Sequence, residues 1–139
     1  MAETLTTLKT RRSCRAYKPE HVEDEKLKAI VEAGTYAATG MGKQSPIILC
    51  VTNKEIRDRI SRLNARVMGQ GEGFDPFYGA PVVLVVAYDE ERVCQSKYMP
   101  GHDSGEKDVS IVCTHMMLRA WELGIGTCWV GLFNADEVG

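Results

Sequence analysis

The stretch from Asp108 to Gly131 constrains this chain most. It reads D-V-S-I-V-C-T-H-M-M-L-R-A-W-E-L-G-I-G-T-C-W-V-G. Val109, Val112, Cys113, Met116, Met117, Ala120 and Leu123 recur at three- and four-residue steps, the spacing of one helix face. Ile111, Leu118 and Trp121 fill much of the rest, leaving Asp108, Ser110, Thr114, His115, Arg119 and Glu122 as the polar positions. A helix this apolar must be buried on most sides, within one chain or between two. Glu106 and Asp108 place negative charge at its start, where the helix dipole favours it. Gly124 stops it, because glycine accepts the left-handed backbone that follows a helix end. Thr127 to Val130 then reads as a short strand closed by Gly131. Such a helix, turn and strand are expected to form the core unit.

The remaining segments are arranged around it. Glu3 to Lys9 reads as a short helix, and Glu23 to Ala38 as a longer one with Leu27, Ile30, Val31 and Gly34 on its apolar stripe. Pro46 to Thr52 is an apolar, β-branched run expected to be a buried strand. Lys54 to Met68 predicts a third long helix with Ile56, Ile60, Leu63 and Val67 facing inward. Pro81 to Tyr88 is an unbroken apolar row, the pattern of a strand covered on both faces. Asp89 to Gly105 is polar and reads as a lid or surface loop. Asn134, with Asp136 and Glu137 behind it, marks the start of a last helix. Alternation of helices and strands alone leaves a parallel α/β sheet open beside an α+β arrangement.

The 139 residues suit one domain with a real core. A net charge of -2 gives no reason to expect nucleic acid or an anionic membrane as partner. The chain has no apolar run of the ~18 residues that a transmembrane helix requires, and its first residues lack a signal-peptide core, so the cytoplasm is the expected location. His21, His102 and His115 show no metal-ligand spacing. Of the five cysteines, Cys50, Cys113 and Cys128 sit in apolar runs and read as small core residues. Cys14 lies among arginines and is either a reactive thiol or a bystander in a basic loop.

Four segments carry candidate chemistry. Lys9, Arg11, Arg12, Arg15 and Lys18 crowd around Ser13, a set that suits a phosphate or a solvated basic loop. A loop of small residues, A-A-T-G-M-G-K-Q-S-P, ends at Pro46. Asn64 falls on the apolar edge of the third helix, where its amide needs either a ligand or a core hydrogen bond. Gly69 to Gly79 is a glycine-rich loop with Phe74, Phe77 and Tyr78, either packing on a flat substrate or anchoring the loop itself.

R-R-S-x-R-x-Y, the small-residue loop, P-V-V-L-V-V, the apolar helix and G-I-G-T-C-W-V-G occur here in an order that resembles the nitroreductase family of flavin enzymes. The resemblance implies an α+β fold in which helices pack around a mostly antiparallel central sheet. It implies one domain spanning residues 1–139, with a C-terminal strand and tail to follow. It implies bound FMN, with NAD(P)H as reductant and nitroaromatics, quinones or related acceptors as small-molecule substrates. Arg11, Arg12, Ser13 and Arg15 would hold the phosphate and ribityl chain. Asn64 would meet the pyrimidine edge, and the backbone near Val130 and Gly131 the reactive nitrogen of the ring. Thr39, Gly40, Met41 and Gln44 would flank the flavin of a partner subunit in a homodimer, with Met116 and Met117 as candidate contacts between the two copies. No catalytic side chain and no metal are implied. The alternatives are a flavin enzyme of another reaction type, a dehydrogenase or dehalogenase, and a flavin-binding or structural module without this activity.

Overall fold

A computed structural model describes residues 3–71 and 73–138. The elements are α1 (Thr4–Thr10), α2 (Asp24–Thr35), a 3₁₀ turn (Gly40–Gly42), β1 (Pro46–Val51), α3 (Lys54–Val67), β2 (Val83–Tyr88), α4 (Gly105–Glu122) and α5 (Ala135–Val138). β1 and β2 pair antiparallel, from Pro46 opposite Tyr88 to Val51 opposite Val83, and make the one sheet among the described residues. No described helix is long and apolar enough to cross a membrane.

The core lies where α2 and α4 cross that sheet. Ile30, Val112, Met116 and Ala120 are buried together, with Ile48, Leu84, Val86 and Leu123 packed against them. Gly34 makes the approach possible: a β-carbon there would stand 2.9 Å from Ile48 Cδ1 and 3.0 Å from Met116 Cγ. Helix starts follow the sequence. Asn53 Oδ1 accepts from Ile56 N at 3.0 Å, and Asn134 Oδ1 accepts from Asp136 N at 3.1 Å. Gly124, at φ 77, turns the chain out of α4 as expected.

Five expectations are corrected. Thr127 to Val130 forms no strand beyond an isolated parallel bridge between Thr127 and Ser13, because the segment beside it is itself irregular. β1 is not fully buried: Ile47 and Leu49 are 46% and 52% exposed, since no described element covers their sheet face, and Cys50, on the opposite face with Ile48, is exposed as well. β2 is half-buried: Leu84 and Val86 pack against the core, and Val83 and Val85 line a cavity. α3 turns a different stripe inward, Arg57, Ser61, Asn64 and Ala65, while Ile56 is 53% exposed. Arg57 and Ser61 win that face because Asp75 stands opposite with a carboxylate to bind them. Finally, α4 is buried along a single stripe through Asp108, Val112, Met116 and Ala120, and Ile111 reaches solvent. One copy of this chain therefore covers only part of its most apolar helix.

Candidate functional site

The Arg11–Arg15 segment and the turn after α4 lie side by side. α1 ends when Arg11 N donates to Thr7 O, and the chain then runs extended. Ser13 pairs with Thr127, and Cys14 N donates to Thr127 O at 2.9 Å. Trp121 Nε1, on α4, donates to Thr10 Oγ1 at 3.0 Å and fixes the end of α1. Gly126 is required here, because a β-carbon would fall 2.4 Å from Cys14 Sγ. Tyr17 Oη donates to Cys14 O at 2.7 Å. Burial, with the Cys128 and Cys14 thiols nearby, pushes the Tyr17 phenol up to about 12, so it remains a donor at neutral pH.

The cations differ in what they touch. Arg12 Nη1 donates to Lys9 O at 2.8 Å and Arg11 O at 2.9 Å, satisfying carbonyls at the end of α1. Ser13 and Arg15 are exposed. Arg11 Nη1 is buried and has no partner among the described residues. A buried guanidinium N–H left unpaired is costly and calls for an acceptor, preferably anionic.

A cavity of about 340 Å³ opens between β2, α3, α4 and the segment after α4. Asn64 and Val130 both line it, so two of the expected ring-edge residues meet on one space. Asn64 is 1% exposed, and neither its Oδ1 nor its Nδ2 has a partner among the described residues. Such an amide is built to receive one donor and one acceptor together. Gly131 follows Val130 and is exposed.

Phe77 and Tyr78, also on the cavity wall, are held by a device that sequence reading missed. Asp75 accepts from Ser61 Oγ at 2.8 Å, Gly79 N at 2.8 Å and Phe77 N at 3.1 Å, and it pairs with Arg57 Nη2. Arg57 Nε donates to Ala80 O at 2.9 Å, and its guanidinium lies 5.3 Å from the Phe77 ring centre. Burial alone would raise the Asp75 carboxyl, but the hydrogen bonds from Arg57, Ser61, Gly79 and Phe77 outweigh it and hold it down at about 2. The signal was present in the sequence: Arg57, Ser61 and Asn64 recur at helical spacing, a polar stripe running beside the apolar one.

The Thr39–Gln44 loop stands elsewhere. Asp108, 2% exposed, accepts from Gly40 N at 2.9 Å, Ser104 Oγ at 2.7 Å and Ser45 Oγ at 3.3 Å. Thr39 Oγ1 accepts from Gln44 N at 3.0 Å. These bonds hold Met41 and Gln44 at φ 50 and 51, a left-handed backbone uncommon outside glycine, and leave the Met41 side chain 86% exposed. The loop thus sits at the start of α4, whereas Arg11–Arg15 and Gly131 sit at its end. With a rise of about 1.5 Å per residue, Asp108 and Leu123 are roughly 22 Å apart along the helix. Within one chain Thr39, Gly40, Met41 and Gln44 therefore stand at the opposite end of α4 from Arg11, Arg12, Ser13 and Arg15. Met116 and Met117 do not face outward: Met116 is 4% exposed in the core, and Met117 lines the cavity. Met116 faces inward through the four-residue step it shares with Val112 and Ala120, and Met117 shares its step and the cavity wall with Cys113.

Comparison with known proteins identifies the family and the fold. The chain matches the nitroreductase family profile over residues 8–138. A crystal structure of a nitroreductase family protein from Clostridium difficile 630 is similar, with 31% identity and a TM-score of 0.80, over 99% of this chain and 73% of that one. A nitroreductase with bound FMN from Desulfitobacterium hafniense DCB-2 is 32% identical with a TM-score of 0.76, over 95% of this chain and 71% of that one. A curated relative from Archaeoglobus fulgidus, named provisionally as an NADH dehydrogenase/NAD(P)H nitroreductase, is 29% identical over 99% of this chain and 72% of its own length. A second curated relative, from Methanothermobacter thermautotrophicus, is covered over 64% of its length. With the family profile spanning nearly every residue and the fold shared by FMN-bound structures, this chain belongs to the nitroreductase family.

Proposed function

We propose that this chain belongs to an FMN-dependent oxidoreductase that draws on NAD(P)H to reduce nitroaromatics, quinones or related small acceptors. The observation that carries the reading is the pair of orphaned buried polar groups, Arg11 Nη1 and the Asn64 amide. FMN offers what each lacks: a phosphate for the guanidinium, and a ring edge that donates and accepts for the amide. Relatives solved with bound FMN support the same cofactor.

Bound FMN would supply the hydride- and electron-transfer chemistry between reduced nicotinamide and the acceptor. The protein binds and orients. Arg11, Ser13 and Arg15 hold the phosphate and ribityl end, and Arg12 steadies the segment by tying it to α1. Asn64 fixes the pyrimidine edge. Backbone N–H groups at Val130 and Gly131 supply donors for the charge that builds on the reduced ring. Reductant oxidation, followed at the nicotinamide absorbance with a quinone acceptor, should depend on added FMN and exceed the rate of free FMN. Equal rates with and without protein would contradict the activity.

The site needs a second copy to be complete. Two α4 helices packed antiparallel about a two-fold axis would bring Thr39, Gly40, Met41 and Gln44 of one copy to the Arg11–Gly131 end of the other. Ile111 on α4 is exposed, as are Leu5 and Leu8 on α1, and Ile111 supplies an apolar anchor for that contact. Ile111→Glu is expected to split the dimer in light scattering at low micromolar concentration and to weaken FMN retention by about 10-fold or more. A wild-type monomer that keeps FMN through every dilution would contradict the shared site.

A further inference from the structure

We propose that Cys14 and Cys128 form a reversible disulfide that ties the Arg11–Arg15 segment to the segment after α4. The two residues flank one backbone hydrogen bond, Cys14 N to Thr127 O at 2.9 Å. Ser13 and Thr127 are the bridged pair, in parallel register, so Cys14 and Cys128 are next neighbours across it. Residues at such positions lie roughly 5 Å apart, within the range of about 4.4–6.8 Å between α-carbons that a disulfide spans.

Side-chain direction agrees. Cys14 Sγ lies over Gly126, within 2.4 Å of where a β-carbon would be. Gly126 stands two residues before Cys128, across the bridged Thr127, and both thiols lie near the Tyr17 phenol. The Cys14 thiol is therefore on the Cys128 side of the chain, and the missing side chain at Gly126 gives it room to turn. Both thiols are partly accessible and free.

The oxidant is a low-molecular-weight disulfide, of which glutathione disulfide is the type. The Cys14 sulfur attacks one of its sulfurs, its S–S bond breaks, and one small thiol leaves. The Cys128 sulfur then attacks the mixed disulfide at Cys14 and releases the second small thiol. One protein S–S bond forms, one oxidant S–S bond is reduced, and the two thiol protons leave on the released thiols. Arg11, Arg12 and Arg15 lie within three residues of Cys14 in sequence, and their positive charge favours the approach of an anionic disulfide such as this one.

The test uses the whole chain, reduced and then incubated with glutathione disulfide, in the absence of FMN. Its failure would leave the proposed cofactor untouched. Peptide mapping without reduction should give a Cys14–Cys128 link, and thiols alkylated after unfolding should fall from five to three, the two lost being this pair. The long loop closed by the link should raise Tm by on the order of 5–10 °C. Cys14→Ser and Cys128→Ser should each abolish the link and the Tm rise, while Cys50→Ser leaves both intact. Recovery of Cys14 and Cys128 as separate alkylated or glutathionylated peptides would overturn the proposal.

Discussion

Asp75→Ala should cost about 2–3 kcal/mol of stability, the loss of charge-assisted hydrogen bonds that gather a loop onto α3. Arg57 is 8% exposed and pairs with Asp75 through Nη2 and with Asp58 through Nη1 at 3.2 Å, so the substitution leaves it Asp58 alone. The same substitution strips acceptors from Ser61 Oγ and from the backbone of Phe77 and Gly79. Urea titration gives the size. Acid should reveal the same group. Its folded carboxyl titrates at about 2, below the ~3.9 of an unfolded aspartate. A depressed carboxyl contributes stability above its unfolded value and loses it as pH falls toward the folded one. Stability should therefore drop between about pH 4 and pH 2. Asp75→Asn, with no charge to lose, should flatten that part of the profile. An unchanged acid limb would mean that the Asp75 network adds nothing to folding.

Arg11→Ala should weaken FMN by on the order of 10-fold or more, since charge-assisted bonds to phosphate are strong. Arg15→Ala should act in the same direction through the same end of the ligand. Riboflavin has the ring without the phosphate, so its affinity should barely move. Fluorescence titration of both ligands against wild type and each variant separates the two cases. Equal losses for FMN and riboflavin would show that these arginines do not read phosphate. Because Arg11 Nη1 is buried and unpartnered, its removal is also expected to leave Tm unchanged or raised.

The parts of the fold that were legible in the sequence are those that periodicity and glycine dictate. α2 and α4, the Gly124 turn and the Asn134 cap lie where their patterns put them. Burial was harder to read, since it depends on what covers a face. Ile47 and Leu49 are strand residues by pattern, yet no described element covers them. Ile56 is apolar and exposed, while Arg57 is charged and buried, because Asp75 arrives from a loop 18 residues later. Sequence spacing on α3 does not reveal that partner. Asp108 shows the same limit. Its place near a helix start explains its charge, but its role in holding Gly40, Ser45 and Ser104 is set by tertiary contact. The Arg11–Arg15 and Thr127–Gly131 segments were joined in the sequence reading by family resemblance. Physically they are joined by the Ser13–Thr127 bridge, which involves residues too far apart for any local pattern.

Equilibrium dialysis of the purified chain against FMN, at micromolar protein, tests the central claim most directly. FMN should be retained, with an absorption spectrum shifted from that of the free cofactor, and Asn64→Leu should reduce that retention. No retained FMN at any concentration in that range would contradict the account.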